Sequence, residues 1–437
     1  MDALAAAALT AAVLTKLDAS NRLIAGTATK LYEKSGTTWS DVSRATAYNA
    51  TTTAPWRFAQ FGDTSLAVNK GDVIQYSSSG AFADLTAPKA AVMCVASGFV
   101  MIGNTNEATY GDSLDRWWCS AYLDNTDWVP AISTQCTTGQ LVDSPGAITG
   151  MRALGYDVVA YKDRSMYLGR YAGPPGVWDF TLIPGEIGCS SQEAIADIGT
   201  AHIFIGFEDI YMFNGSSPTP IGTPLREWFF RDLDPAYRHR IRHAIDRSIS
   251  TVYFYYPRVS GGGGALDGCI AYNYVSNKWG IAHRSIEAAV EYVTGGYTWN
   301  TLPLTTWDSW PEIAYDSPFW TASTKYPAYI GTDHKIYSLT GASTSASFTT
   351  GDYGSENAYS LLSRITLRYL DTPTTATCTN FYQEIHGGTW TTDTTTTESN
   401  GRFDILRSAP WHKAEFDFTG NFEATGASAE IQQDGVF

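Results

Sequence analysis

Residues 26–32 read GTATKLY and residues 331–337 read GTDHKIY, so two segments at opposite ends of the chain are nearly the same. Each segment joins the end of one apolar stretch to the start of another through a short polar turn, as in a β-hairpin. A repeat of this kind indicates a fold assembled from copies of one small unit. The pattern therefore predicts further copies of the unit between these two segments.

Five weaker copies of the hairpin lie between them. Each has an apolar strand, a polar turn and a second strand with a large apolar residue. They cover residues 66–76, 100–118, 158–167, 203–211 and 252–272. A third stretch often follows and supplies a large aromatic residue: Trp39, Phe82, Trp128, Trp178 and Trp279. The first four aromatics recur at roughly the 40–50 residues of a propeller blade.

The repeated unit predicts an all-β fold. One small antiparallel sheet cannot bury both faces, whereas radial stacking, with an aromatic from each sheet wedged against the next, covers the faces and protects the edges. Helical periodicity is confined to the N-terminal alanines and to residues 225–232 and 235–244, and strand-forming residues fill the rest. The sequence predicts a β-propeller of six or seven blades with a terminal β-strand domain.

Two segments break the repeat. Residues 285–328 form an insertion rich in Trp, Pro and Thr, and alternating β segments follow residue 345. We therefore predict a propeller over residues 1–345 that includes the insertion. Residues 346–437 are predicted to form a terminal β-domain or strands that close the ring.

The composition restricts the classes of function. The 437 residues include 29 Lys and Arg against 44 Asp and Glu, a net charge of -15. An acidic chain does not fit a reader of nucleic acid, which neutralises phosphates with many basic residues. The apolar start lacks a basic flank and a cleavage site, and no stretch is long enough to cross a membrane, so neither an export signal nor a membrane partner is expected. The six scattered cysteines predict buried free thiols in a reducing compartment.

Motifs of catalysis are weak. Residues 32–39 keep Gly36 and Trp39 of a sialidase Asp-box but carry Lys34 where the box needs Asp. His239 and His243 have the spacing of some zinc ligands, but arginines surround them and oppose cation binding. The glycines at 261–264 lack the Lys of a phosphate-binding loop and indicate a hairpin tip. We predict no catalytic residues, no cofactor and no metal.

Two clusters are candidates for protein contacts. Six arginines lie within residues 226–247, and they fit a solvated face with local salt bridges, a subunit interface with acidic patches, or a DNA contact. Tryptophans in the insertion fit internal packing or a protein interface. The predicted interface residues are Arg226, Arg231, Arg238, Arg240, Arg242, Trp307, Trp310 and Trp320.

Several segments resemble a known family. They are residues 25–32 with 39–44, 56–63, 183–189, 232–240, 315–320 and 332–337. They resemble the tail nozzle or tail hub proteins, also called DNA-stabilisation proteins, of bacteriophage head-to-tail machines. The resemblance runs from about residue 13 to at least residue 341. Many relatives carry additional residues before the first blade, which leaves open which N-terminal strand closes the ring.

The resemblance implies a non-enzymatic virion protein, assembled in the host cytoplasm and located in the tail. Six copies would form a ring below the portal and its adaptor, retain the genome, line the DNA exit channel and anchor fibres or a tail needle. The implied partners are other copies of the chain, the adaptor or head-completion protein, the fibre or needle, and double-stranded DNA that passes without sequence recognition. An acidic channel wall would let DNA slide rather than hold it. The alternatives are a carbohydrate-binding or glycosidase propeller of a tail fibre and a cellular scaffold propeller.

Overall fold

The computed structural model describes residues 2–293, 325–339 and 345–436. The chain divides into two compact units, residues 1–339 and 340–437. The boundary predicted from the break in the repeat lies after residue 345. No helix in the described ranges is long and apolar enough to span a membrane.

Five four-stranded antiparallel sheets follow one another in the first unit, and in each the strands pair in chain order. Blade one contains β1 (Thr10–Thr15), β2 (Asn21–Gly26), β3 (Leu31–Ser35) and β4 (Thr38–Asp41). Blade two contains β5 (Arg57–Phe61), β6 (Thr64–Val68), β7 (Gln75–Ser77) and β8 (Ala83–Asp84). Blade three contains β9 (Lys89–Ala96), β10 (Phe99–Glu107), β11 (Gly111–Cys119) and β12 (Thr137–Gln140).

The next two blades have the same meander. Blade four contains β13 (Ile148–Leu154), β14 (Asp157–Lys162), β15 (Met166–Gly173) and β16 (Val177–Leu182). Blade five contains β17 (Ile195–Asp197), β18 (His202–Ile205), β19 (Ile210–Phe213) and β20 (Thr219–Pro220).

The last six strands of this unit form one continuous sheet that supplies two blades. They are β21 (Arg242–Asp246), β22 (Thr251–Pro257), β23 (Leu266–Asn273), β24 (Lys278–Val293), β25 (Lys325–Gly331) and β26 (Ile336–Ser338). The first half of β24 pairs with β23, and its second half pairs with β25 from Ile286 onward. One long strand is therefore the outer strand of blade six and the inner strand of blade seven.

The innermost strands close a ring. These strands are β1, β5, β9, β13, β17, β21 and the second half of β24, and each contacts the next. The second half of β24 also contacts β1, so the described part of the first unit is a seven-bladed β-propeller. All seven hairpins predicted from the sequence are confirmed as the β2–β3, β6–β7, β10–β11, β14–β15, β18–β19, β22–β23 and β25–β26 pairs.

The predicted aromatic wedges are confirmed, because each lies in an apolar core formed by neighbouring blades. Phe82 packs between blades one and two, Trp128 between blades two and three, and Trp178 between blades three and four. Trp279 packs against the core of blades four to six, and Trp39 against the core of blades seven and one. The aromatic residues thus join blades rather than fill a groove.

The N-terminal residues complete the junction of blades seven and one. Leu4 and Ala8 are buried in that core. The Leu4 amide donates to the His334 carbonyl at 2.9 Å, and the Ala8 amide donates to Glu287 Oε2 at 2.9 Å. The N-terminal alanines form this extended segment and not a helix.

Two predictions about local structure are corrected. Residues 285–293 continue β24 and residues 325–328 begin β25, so these ends of the predicted insertion belong to blades. The predicted helix over 225–232 exists as α1 (Arg226–Asp232), but the one over 235–244 is a 3-10 helix at Pro235–Arg240 followed by β21. The strand prevails after residue 241 because Arg242 to Asp246 pair in register with β22 at the inner edge of blade six.

The second unit is a β-sandwich of two antiparallel sheets. One sheet has the order β27-β33-β30-β31 with β28 also on β33, and the other has the order β32-β29-β34. Its core includes Leu362, Cys378, Phe403 and Phe416. The strands are β27 (Ala346–Thr349), β28 (Tyr353–Gly354), β29 (Ala358–Asp371), β30 (Thr375–Gln383), β31 (Thr391–Thr397), β32 (Arg402–Ala409), β33 (Trp411–Thr419) and β34 (Glu423–Val436).

The prediction of buried free thiols is confirmed for all six cysteines. Burial raises the pKa of each thiol to about 12. At neutral pH these groups are protonated and behave as small apolar side chains.

Candidate binding site at the propeller axis

Charged side chains from distant blades meet at the centre of the propeller. Arg57 begins β5, Arg152 lies on β13, and Arg242 and His243 begin β21. Glu193 lies on the 3-10 helix Gln192–Ala194, which leads into blade five. These five residues are here called the axial network.

Glu193 is the carboxylate of the axial network. Its Oε1 lies 3.8 Å from Arg57 Nε, and its Oε2 lies 3.6 Å from an Arg152 terminal nitrogen. Burial alone would raise the pKa of Glu193, but Arg152 and Arg57, with smaller effects from His243 and Arg242, lower it to about 2. Glu193 is therefore ionised at all ordinary pH values.

The turn before blade five holds Glu193 in place. The Ser191 side chain caps the 3-10 helix by accepting from the Glu193 amide at 3.3 Å. The side-chain amide of Gln192 makes two hydrogen bonds to the backbone of β9. It donates to the Met93 carbonyl at 2.7 Å and accepts from the Met93 amide at 3.2 Å. This turn is thus anchored to blade three, two blades away.

A glycine in the repeated segment 26–32 helps to position Arg57. A side chain on Gly26 would lie 2.2 Å from the Trp56 ring, so glycine is required for the ring to pack there. Trp56 is fully buried, and its indole N–H donates to the Thr27 carbonyl at 2.8 Å. The anchored ring fixes the start of β5, and the next residue, Arg57, reaches the axis.

Arg242 extends the network across the ring to blade one. It donates to the Ile241 carbonyl at 3.0 Å and to the Leu9 carbonyl, just before β1, at 3.3 Å. The pKa of Arg242 is lowered to about 9, mainly by burial and then by the positive charge of Arg57. The carboxylate of Glu193 partly offsets this by raising the pKa. Side chains from blades two, four, five and six therefore occupy the axis.

The axial network carries more positive than negative charge. Three guanidinium groups, on Arg57, Arg152 and Arg242, surround one carboxylate. His243 donates from Nδ1 to the Glu193 carbonyl at 2.7 Å. Burial first, and then Arg152, lower the pKa of His243 to about 4, so its ring is neutral at pH 7. A buried excess of positive charge is unexpected in a chain of net charge -15.

Two cavities adjoin the axial network, and their charges differ. The larger, of about 260 Å³, has both arginine and acidic side chains on its wall, including Asp197 and Glu291. The smaller, of about 130 Å³, has no acidic residue on its wall. Its polar lining residues are Thr53, Arg57, Asn104, Thr149, Ser190, Ser191 and His239.

The chemistry of the axis is that of binding. In the described ranges, no group of three or more His, Cys, Asp or Glu is placed to hold a metal ion. A general acid needs a pKa near the working pH, whereas Glu193 has a pKa of about 2. The arrangement can neutralise and hydrogen-bond an anion, which is the function that clustered arginines perform best.

The structure divides the predicted arginine cluster among separate environments. Arg226 and Arg231 lie exposed on α1, and Arg226 is 4.0 Å from Asp209. Arg238 stacks on the rings of Phe207 and Phe230. Arg240 donates to the Gly263 carbonyl at 3.2 Å. Arg242 is buried at the axis and only 4% exposed. The predicted subunit interface would therefore use the exposed arginines of this cluster, Arg226 and Arg231.

Other predicted residues are placed as follows. Trp307, Trp310 and Trp320 lie outside the described residues, and their predicted interface role stays a prediction. His239 lines the smaller cavity, whereas His243 borders the larger one, so the structure does not join the two rings in one site.

The sequence reasoning missed Arg57, Arg152 and Glu193. Arg57 stands in the segment 56–63 that carries the family resemblance, and Glu193 follows the segment 183–189. The sequence feature that could have indicated these residues is a single charged residue beside residues that are buried in the fold, such as Trp56 and Ala194. That signal is weak because such charges also occur at exposed strand ends.

Comparison with known proteins gives solved structures of low similarity. No protein-family model matches the chain, and no curated protein matches it. YCF48 from Cyanidioschyzon merolae is 10% identical, with 64% of this chain and 86% of that chain covered and a TM-score of 0.37. A structure of YCF48 bound to D1 peptide is 12% identical, with 64% and 82% covered and a TM-score of 0.38. The Neurospora crassa Pan2 WD40 domain is 10% identical, with 77% and 90% covered and a TM-score of 0.39. At these TM-scores the similarities carry no argument about function.

Proposed function

We propose that this chain is a structural protein of a bacteriophage virion, a tail nozzle or hub ring that extends the DNA channel below the portal and adaptor. In this proposal the ring retains the packaged genome and anchors fibres or a tail needle. The observation that supports it most is the set of resembling segments carried on a β-propeller. One of these segments, residues 56–63, supplies Arg57 to the axial network.

The filled axis restricts where DNA would pass. Arg57 and Glu193 approach across the propeller from blades two and five, and the adjoining cavities measure about 260 and 130 Å³. A duplex cannot pass through spaces of that size. In our proposal the DNA channel is therefore the lumen between copies of the chain, and the propeller is a solid building block of its wall.

The charge distribution supports a channel that lets DNA slide. The net charge is -15, while Arg57 and Arg242 are buried at the axis and Arg152, whose side chain is 25% exposed, is partly withdrawn there. A surface depleted of these arginines is more acidic than the composition suggests, and acidic surfaces do not bind phosphates. We propose that acidic surface faces the lumen and that the exposed Arg226 and Arg231 contact a neighbouring copy.

The glycosidase alternative requires a carboxylate pair with one raised pKa. At the axis the surrounding arginines lower the pKa of Glu193 to about 2, which prevents it from acting as an acid. This argues against a glycosidase site that uses Glu193 as its acid.

Immunogold electron microscopy of intact virions tests the proposal. Antibodies to this chain should label the junction between head and tail, or the tail just below it, in every particle. A matched antibody to the major capsid protein controls for accessibility. Labelling of distal fibres, or the absence of the chain from purified virions, would refute the proposed function.

A further inference from the structure

The smaller cavity at the axis has the features of a binding pocket for a small ligand. It measures about 130 Å³, and no carboxylate lines it. One buried water needs roughly 10–15 Å³ of such space, so the cavity is large enough for several waters or one small ion. It is too small for a nucleotide or a peptide.

Arg57 lines this cavity with unused hydrogen-bonding capacity. Its side chain is 6% exposed. A terminal nitrogen donates to the Trp56 carbonyl at 3.3 Å, while Nε is buried without a hydrogen-bond partner in the described structure. The nearest carboxylate oxygen, on Glu193, is 3.8 Å from Nε and outside hydrogen-bonding distance. Buried guanidinium donors left unpaired are costly, so a ligand that accepts from them would stabilise the fold.

Other donors stand on the same wall. The Ser191 hydroxyl accepts from the Glu193 amide, which leaves its proton available to donate. His239 also lines the cavity, and burial, followed by Arg242, Arg240 and Arg57, lowers its pKa. The positive surroundings that oppose protonation of this imidazole would attract an anion.

We propose that this cavity binds a small inorganic oxyanion of the phosphate or sulfate type, with Arg57 as its charged partner and Ser191 and His239 as further donors. The planar guanidinium can offer two parallel N–H groups to two oxygens of such an ion. The ion would also compensate the excess of three arginines over one carboxylate in the axial network. It would act as a structural counterion between blades two and five. This inference does not depend on the proposed function.

Thermal unfolding of the full-length protein tests the site. We expect inorganic phosphate or sulfate to raise the Tm in a saturable manner, by several degrees above potassium chloride of equal ionic strength, because a ligand of the native state stabilises it by mass action. ATP should give no shift beyond chloride, because the cavity excludes it. An ATP shift equal to that of phosphate would indicate a phosphate-bearing group on an open surface and would overturn the proposal.

Two variants locate the effect. Arg57→Met removes the charge with similar length, and Ser190→Leu fills the cavity without altering the axial network. Both should lose the phosphate-dependent rise in Tm, while Arg170→Met, at a side chain of β15 that is 67% exposed, should retain it. If Arg57→Met does not fold, Ser190→Leu still decides the matter. The absence of a phosphate effect in the wild type, or an undiminished effect in Ser190→Leu, would overturn the proposal.

Discussion

Arg231 and Arg242 stand close together in one basic stretch, yet the fold gives them opposite environments. Arg231 lies in the last turn of the helix α1 in contact with solvent, whereas Arg242 is 4% exposed and donates to backbone carbonyls at the propeller axis. Exposed arginines are hydrated and screened by salt, so each ion pair contributes about 0–1 kcal/mol. The contribution of a buried arginine to stability depends on the hydrogen-bond and charge partners that it has. Proximity in sequence therefore does not make a functional cluster.

The largest effect should come from removing the carboxylate of the axial network. Glu193→Gln removes the carboxylate nearest to Arg57 and Arg152 and leaves the buried Arg57 without its partner charge, and we expect a loss of about 3–5 kcal/mol in the free energy of unfolding. Urea denaturation measures this loss. Asp157→Asn is the matched control, because Asp157 pairs at 3.5 Å with Arg170, whose side chain is 67% exposed. A loss no greater than that of the control would contradict the contrast between axis and surface.

A second, smaller effect should appear in the pH dependence of stability. His243 has a pKa of about 4 in the folded protein, and an unfolded histidine has a pKa of about 6.5. Between these values the unfolded chain binds the extra proton, so stability should fall as the pH drops from 6.5 to 4, by about 2–3 kcal/mol. Glu193 contributes in a lower window, from its unfolded pKa near 4.3 down to about 2.

The variant His243→Asn isolates the histidine contribution. Its amide can donate to the Glu193 carbonyl in place of Nδ1 but does not titrate. Unfolding midpoints measured from pH 7 to pH 4 should decline less steeply in this variant than in the wild type. Parallel profiles for the two proteins would show that His243 is not the group responsible.

The smallest effect on stability should come from the exposed arginines. The double variant Arg226→Glu with Arg231→Glu should change the free energy of unfolding by about 1 kcal/mol or less, because an exposed ion pair such as that of Arg226 with Asp209 contributes little. If these residues contact a neighbouring copy, the same variant should lose ring assembly, measured by light scattering after size-exclusion chromatography. Arg170→Glu should assemble as the wild type does. Intact rings in the double variant would remove α1 from the proposed interface.

The fold could be predicted from the sequence because its unit is local. A few consecutive residues encode each hairpin, as in the segments 26–32 and 331–337. The residue that packs between neighbouring blades is a single aromatic residue such as Trp178. The sharing of β24 between two blades could not be predicted in this way. In the sequence, the 16 residues of β24 contain no turn and therefore interrupt the repeat. In the structure, this one strand continues from blade six into blade seven.

The candidate site could not be predicted, because its residues meet only after the ring closes. Arg57 and Glu193 come from blades two and five, and no local pattern links them. The basic stretch 226–247 is visible in the sequence because its six arginines lie within 22 residues, yet of that set only Arg242 joins the axial network. A long-range contact between single charges leaves no periodic signal in one sequence.

A cryo-electron microscopy map of the isolated tail tests the central claim most directly. The account predicts copies of this chain in a ring, with DNA in the lumen between copies and with side-chain density of Arg57, Glu193 and Arg242 filling each propeller axis. A map in which DNA passes through a propeller axis, or in which this chain is absent from the tail, would contradict the account.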